Sequence, residues 1–334
     1  MVPEISVILP FYNAENTLER AVESILNQVF SDFELLLVDN CSDDKSTRIA
    51  QSLAKHEKRI HLLEEPKAGV ANAMNCGLIN ALGKFIARMD ADDISHPKRL
   101  RKQLLFLKEN SEIGLVGTDV QYVPHNKNTA GFKRVVDWVN AFHSQEEIDL
   151  KKFIEIPVVN PTILFRREIF EKYGGCIHGN FPEDYEMQLR YLEAGVKMAK
   201  IKEPLLEWHD YSTRLTRTDE RYSTEAFFRV KAKYFKNWSE QNNRFHPVIW
   251  VWGAGRKTRQ RAKLLEKEGL RIEGFIDVVK NKTSTKKVIH FEEIPNSDEI
   301  FIVSLVTNQG VGNQVSRFLK KRNYLEGVDF ILMG

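Results

Sequence analysis

The sequence predicts an α/β protein, with a mostly parallel sheet flanked by helices and a second, smaller α/β unit after it. Three observations carry this. Short apolar runs alternate with amphipathic helical stretches through the first ninety residues. Several of those runs end in polar or acidic residues. A fresh apolar run, Val248 to Trp252, then opens on Gly253-Ala-Gly255 just beyond His246-Pro247.

In order, Ile5 to Pro10 is β-branched and almost wholly apolar, as a strand buried on both faces should be. Thr17 to Val29 spaces Leu18, Ala21, Val22, Ile25 and Leu26 along one helical face. Phe33 to Val38 is a second buried strand, ending in Asp39-Asn-Cys-Ser-Asp-Asp44. A helix from Ser46 to His56, a strand from Ile60 to Leu63 and a helix from Gly69 to Ala81 follow. The strand at Phe85 to Ala87 comes next. The βαβαβαβ order implies parallel pairing with right-handed crossovers.

The organising stretch is Lys84 to Arg99, where the Phe85 strand runs into Asp90, Asp92 and Asp93 before Ser95 and Pro97 break it. Acids there lie at a carboxyl edge, the ligand side of open α/β sheets. Clustered carboxylates repel, and a hard divalent cation with a phosphate relieves that. The same residues also suit a solvated turn in which Asp93 or Ser95 caps the next helix.

Composition narrows the class. Of 334 residues, 42% are hydrophobic and 28% charged, as in an ordinary globular chain, and the net charge of +3 does not point to nucleic acid. Cys41, Cys76 and Cys176 show neither disulfide nor zinc spacing. With no signal pattern and no apolar run of roughly 18 residues, the expectation is a cytoplasmic protein. Peripheral association at the inner face of the membrane is compatible with it.

Further along, Gln103 to Lys108 continues a helix, Gly114 to Val120 reads as a strand, and Phe132 to Glu146 has no clear period. Pro157 to Arg167 reads as another strand and Tyr173-Gly-Gly175 as a turn. Glu183 and Asp184 open a helix, where acids also favour the dipole. Arg214 and Arg217 carry the guanidinium chemistry that grips diphosphate.

Ser6-Val-Ile-Leu-Pro-Phe-Tyr-Asn13, Val38-Asp-Asn-Cys-Ser-Asp-Asp44 and Ala87-Arg-Met-Asp-Ala-Asp-Asp93 together resemble the family 2 glycosyltransferases of GT-A fold. Pro97, Arg99, Leu100 and Gln103 extend the likeness, which covers about residues 4 to 217. Cys41 stands where that pattern usually has glycine. The resemblance implies a GT-A domain over 1–217, a linker helix over 218–245 and a Rossmann-like module over 246–334.

It also implies a metal-dependent, inverting transfer from a nucleotide-diphosphate sugar to a saccharide or lipid-linked saccharide acceptor. The implied setting is polysaccharide or lipopolysaccharide assembly. Asp184 takes the position of the catalytic base, beside Glu183. Pro10, Tyr12 and Asp39 would shape the nucleobase pocket, with Asn75, Arg214 and Arg217 on the substrate side. Asp92 would hold Mg²⁺ or Mn²⁺, Asp90 would hold the donor's ribose or help at the metal, and His209 is a candidate third ligand. In the second unit, Gly253, Gly255 and Asp277 follow part of a dinucleotide fingerprint, suggesting NAD(P) or another nucleotide; the third glycine is missing. Two other readings share these residues. One is a nucleotide-sugar hydrolase or nucleotidyltransferase; the other is a non-catalytic nucleotide sensor acting through the second unit.

Overall fold

The computed structural model describes residues 2–125, 130–280, 284–308 and 310–334. The chain forms two compact units, Met1–Ile148 with Pro157–Asp219, and Asp149–Ile156 with Glu220–Gly334.

The first unit is an eight-stranded sheet flanked by helices. Its strands are β1 (Ile5–Phe11), β2 (Phe33–Asp39), β3 (Ile60–Glu64), β4 (Phe85–Arg88), β5 (Ile94–Ser95), β6 (Ile113–Pro124), β7 (Leu164–Arg166) and β8 (Lys197–Asp210). They lie in the order β3-β2-β1-β4-β7-β6-β8-β5. β1, β2, β3 and β4 pair in parallel, as do β6 and β8. β7 runs antiparallel to β4 and β6, and β5 runs antiparallel to β8. The chain moves outward from β1 to β3 and then returns to β4 on the other side of β1. That reversal places the carboxyl ends of β1, β2 and β4 around one crevice.

The segment Pro157–Ile163 is not the strand that its apolar residues predict. Asn160–Thr162 forms a 3₁₀ turn, and only Leu164–Arg166 joins the sheet. Pro161 lacks a ladder donor, and the Thr162 hydroxyl donates back to the Val159 carbonyl at 2.6 Å. Two side chains of the helix Arg99–Glu109 hold this turn. Gln103 Nε2 donates to Thr162 O at 2.7 Å and Val116 O at 3.0 Å. Arg99, fully buried, donates to Ser95 Oγ at 2.8 Å, Arg88 O at 3.1 Å and Pro161 O at 2.7 Å. Residues 132–146, without a readable period, contribute to the helices Ala130–Val139 and Gln145–Lys151. Positions 126–129, ahead of that stretch, lie outside the described residues.

The second unit is a five-stranded parallel sheet in the order β11-β10-β9-β12-β13. Its strands are β9 (Val248–Trp252), β10 (Arg271–Asp277), β11 (Lys287–His290), β12 (Ile302–Ser304) and β13 (Phe330–Leu332). The helix Thr224–Asn242, read from sequence as a linker, belongs to this unit. It buries Phe228, Tyr234 and Phe235. Phe153 of the inserted segment packs edge-on against Phe235 and Trp238, with centroids 5.4 and 5.9 Å away. Lys231 Nζ donates to Ile154 O at 2.6 Å. An amphipathic pattern shows that a helix has an apolar face, not which unit that face meets.

Arg99 is the strut of the first unit. Replacing it with leucine strands the Arg88 and Pro161 carbonyls in the interior, so Arg99→Leu should cost about 3 kcal/mol or more in denaturant unfolding. A loss below about 1 kcal/mol would show that these bonds are dispensable.

Candidate active site

Two loops after β1 and β2 are tied together by polar side chains. Asn13 Nδ2 donates to Asp43 Oδ1 at 2.6 Å, and the Asp43 N–H donates to Asn13 Oδ1 at 2.9 Å. The Ala14 N–H donates to Ser46 Oγ at 2.7 Å, and the Glu15 N–H to Asp44 Oδ2 at 3.0 Å. Asp39 is buried; one oxygen accepts from the Ser42 N–H at 3.1 Å and the other from the Thr47 hydroxyl. Its carboxylate is therefore held in one orientation at the crevice. Pro10 is half-buried beside it, whereas Tyr12 is 60% exposed.

Asn40 is a residue whose role the sequence did not reveal. Its Nδ2 donates to Glu65 O at 2.9 Å and Lys67 O at 2.8 Å, while its Oδ1 accepts from the Gly69 N–H at 2.7 Å. An amide can donate and accept in this way and a carboxylate cannot. Cys41 takes φ 66°, the left-handed conformation that glycine adopts without cost. The cysteine at this glycine position thus sits in a strained turn, with Sγ 3.3 Å from Pro66 O.

The acid turn follows β4. Oxygens of Asp90, Asp92 and Asp93 lie within 4.8 Å of one another, the group suited to a metal among the described residues. Asp93 joins this cluster instead of capping a helix. It is fully buried, and its Oδ1 accepts from the His209 N–H at 2.9 Å. Its Oδ2 is buried with no hydrogen-bond partner among the described residues. Burial first, then Asp92, pushes the Asp93 carboxyl well above the usual range. Burial also raises Asp92, against the pull of Arg214. Three crowded oxygen donors, one of them orphaned, fit a hard divalent cation such as Mg²⁺ or Mn²⁺.

Arginines surround this cluster. Arg88 Nε donates to Asp90 Oδ1 at 3.0 Å. Burial alone would lower its pKa, but Asp90, Asp184 and Glu183 together raise it. Arg214 Nη1 is 3.9 Å from Asp93 Oδ1 and donates to His209 O at 2.6 Å. Arg20 Nη2 donates to the Asp92 carbonyl at 3.0 Å and to the Tyr211 hydroxyl at 2.6 Å. Arg20 and Arg88 were not assigned from sequence. Arg20 lies seventy-two positions from the acid it touches, so no local pattern marks it.

Asp184 is half-buried on the first turn of the helix Glu183–Glu193, and Glu183 is buried beside it. Asp184 Oδ1 accepts from the Tyr185 N–H at 2.7 Å. Burial raises its pKa, and Arg88 is the largest opposing influence.

Other residues singled out from sequence are engaged elsewhere. Asn75 donates to Cys176 O at 2.7 Å and accepts from the Cys176 N–H at 2.9 Å, so both ends of its amide brace backbone. Arg217 forks onto Asp210 at 2.7 and 2.8 Å. His209 Nδ1 lies 3.4 Å from Arg20 Nη2 and 2.8 Å from His125 Nε2, while its Nε2 is 3.4 Å from Glu207. Arginine only donates, so this Nδ1 accepts and the ring is neutral. Burial and then Arg20 lower its pKa accordingly. With both nitrogens committed, the imidazole stands outside the acid cluster. In the second unit, Asp277 Oδ2 accepts from the Ala254 N–H at 2.7 Å and Oδ1 from the Val279 N–H at 3.0 Å. Asp277 thus ties the turn after β10 to the Gly253-Ala-Gly255 turn after β9. Gly253 needs its φ of 98°, but Gly255, at φ −71°, needs no glycine.

Comparison with known proteins fits this geometry. The model of the family "Glycosyl transferase family 2" matches residues 6–174. The chain belongs to glycosyltransferase family 2. The putative glycosyltransferase EpsE of Bacillus subtilis (strain 168) is 31% identical over 228 residues, 67% of this chain and 79% of that protein. The O-antigen biosynthesis glycosyltransferase WbnJ of Escherichia coli is 28% identical over 217 residues, 63% and 82% respectively. The family 2 fold is also that of S. aureus TarS 1-349 in complex with UDP-GlcNAc. That structure has a TM-score of 0.58 and 16% identity over 79% of this chain and 71% of its own. The protein is thus a glycosyltransferase with a GT-A unit followed by a small parallel α/β domain, and among the described residues no helix is long and apolar enough to cross a membrane.

The Asn40 amide gives a sharp test within family 2. Asn40→Asp should lose about 1–3 kcal/mol of stability at neutral pH, because two donors disappear and a carboxylate faces two carbonyls. Unfolding in urea measures it, and an unchanged midpoint would mean that the loop at Glu65 to Gly69 does not depend on this amide.

Proposed function

We propose that this glycosyltransferase is divalent-cation-dependent and inverting. It moves a sugar from a nucleotide-diphosphate donor to an acceptor hydroxyl on a saccharide or lipid-linked saccharide. The setting is assembly of a bacterial surface polysaccharide or lipopolysaccharide. The observation that supports this most is the acid turn after β4, where oxygens of Asp90, Asp92 and Asp93 lie within 4.8 Å of one another and Asp93 Oδ2 is buried with no partner among the described residues.

Asp90, Asp92 and Asp93 would hold the cation, which would supply positive charge to the donor diphosphate as the nucleotide leaves. Asp39, Pro10 and Tyr12 form the wall against which the nucleobase lies. Arg214, among the acids, faces the diphosphate with a fork of donors. The Asp184 carboxylate takes the proton of the acceptor hydroxyl as that oxygen attacks the anomeric carbon opposite the leaving group. A base whose pKa is raised by burial is the stronger for it. No covalent intermediate on the enzyme is required, and the carbon inverts. Arg217, His209 and Asn75 support the surrounding loops through the partners described above.

Calorimetry should find UDP, GDP or dTDP binding in the presence of Mn²⁺, and the binding should be lost in Asp92→Ala. Binding that ignores both the cation and Asp92 would reject the metal-dependent reading. Asp184→Asn should keep that binding while lowering kcat about 10²–10⁴-fold. Full turnover in Asp184→Asn would remove it as the base.

A further inference from the structure

The second unit carries a cleft of its own, of about 260 Å³, beside the loop that leaves the carboxyl end of β12. Parallel α/β sheets take ligands on that side. Among the residues that line it are Glu155 of the inserted segment, Thr307, and Thr224, Phe228 and Lys231 of the helix Thr224–Asn242. The last three fall at i, i+4 and i+7, one face of that helix. A helix face laid on a core is normally apolar, yet this one presents an ammonium. Lys231 is 5% exposed, and its Nζ donates to Ile154 O at 2.6 Å and Met333 O at 3.4 Å. Lysine is seldom buried so far without compensation. A second cation stands behind the cleft wall. Arg261, on the helix Arg256–Lys267, is 6% exposed. Its Nη1 donates to Thr307 Oγ1 at 3.0 Å and Leu305 O at 3.2 Å, and its Nε is buried with no hydrogen-bond partner among the described residues. The two cations share one ring: Arg261 Cζ lies 4.4 Å and Lys231 Nζ 4.8 Å from the Phe228 centroid.

We propose that this cleft binds a phosphate monoester, a sugar phosphate or a nucleoside monophosphate, with Lys231 and Thr307 on the phosphate and Arg261 behind them. Every residue named belongs to the second unit, so the site is distinct from the acid turn. The acids that act on these cations are Glu155, half-buried, on Lys231, and Glu225, exposed to solvent, on Arg261. Two buried like charges against one half-buried acid leave the cleft short of negative charge. Burial pulls the Lys231 ammonium down to about 8; Glu155 opposes that pull and Arg261 adds to it. Lysine meets a phosphate as a point charge. The Thr307 hydroxyl accepts from Arg261, so its own proton is directed to another acceptor, and a phosphate oxygen supplies one. A dianion offsets both cations where a carboxylate offsets one, and the cleft has room for the body of the ester as well as its phosphate.

The experiment uses the full chain carrying Asp92→Ala, without divalent cation, so that metal-dependent donor binding does not contribute. Calorimetry at low ionic strength compares glucose 1-phosphate, UMP, inorganic phosphate and acetate. At least one of the two esters should bind with a Kd below about 1 mM, more tightly than inorganic phosphate or acetate. The tighter of the two esters tells whether the body is a sugar or a nucleoside. Adding Lys231→Met should weaken that binding about tenfold or more, as loss of a charge-assisted hydrogen bond does. Arg261→Gln should weaken it by a smaller factor. If Lys231→Met does not fold, hydrogen exchange in the Asp92→Ala chain decides: a saturating ester should slow exchange within residues 224–231 and 305–308. Failure of both esters to bind, acetate binding as tightly as they do, ester binding that Lys231→Met leaves intact, or slowing confined to the first unit would each overturn the proposal.

Discussion

Burying carboxylates at one edge of a sheet demands buried positive charge, and much of the first unit is built to supply it. Isolated charges do not survive in an interior; they pair, bind a cation or lose their charge. Here the positive charge comes from arginine. Its planar fork lets one residue hold a carboxylate and a backbone group at once, which a lysine does poorly. Arg20, Arg88 and Arg214 come from three distant segments and converge on a turn of four residues, Asp90 to Asp93. The arrangement leaves the turn over-supplied with oxygen donors. That surplus suits a divalent cation.

Arg99 shows how far that demand reaches. It is a charged side chain with no exposure, and burial pulls its pKa down to about 10. It contacts no carboxylate in the described bonds. It fastens the end of β4 to the Pro161 turn, and so to the wall that faces the helix Glu183–Glu193. The helix that carries Arg99 also carries Gln103, four residues on, so both reach the same side. Scaffold and site are thus continuous, and the short antiparallel β7 is part of the support.

The loops after β1 and β2 follow a different logic. There, small polar side chains zip the loops after β1 and β2, and Asn40 pins a third loop by three hydrogen bonds. Each bond is modest, but together they fix these loops before any ligand arrives. Preformed walls lower the ordering cost of binding. The strained turn at Cys41 lies within this zipped region, where the surrounding bonds over-determine the backbone.

The sequence by itself determined the strand–helix alternation of the first ninety residues, the acid turn after Phe85 and the acids that open the helix at Glu183. Those features are local: apolar period, turn residues and clustered charge are all written within a dozen positions. It also marked the second α/β unit, through the run before Gly253. Only the tertiary structure decided what the long-range partners are. It assigned Asn75 to Cys176, Arg217 to Asp210 and Asp277 to the turn after β9, where residue type alone suggested ligands. It broke the Pro157 run into a turn, and it brought Asp149–Ile156 and the helix Thr224–Asn242 into the second unit. Arg20 and Asp92 are seventy-two residues apart, and His209 and Asp93 over a hundred. A side chain's chemistry can be read from its letter, but its partner is chosen by the packing that brings distant segments together.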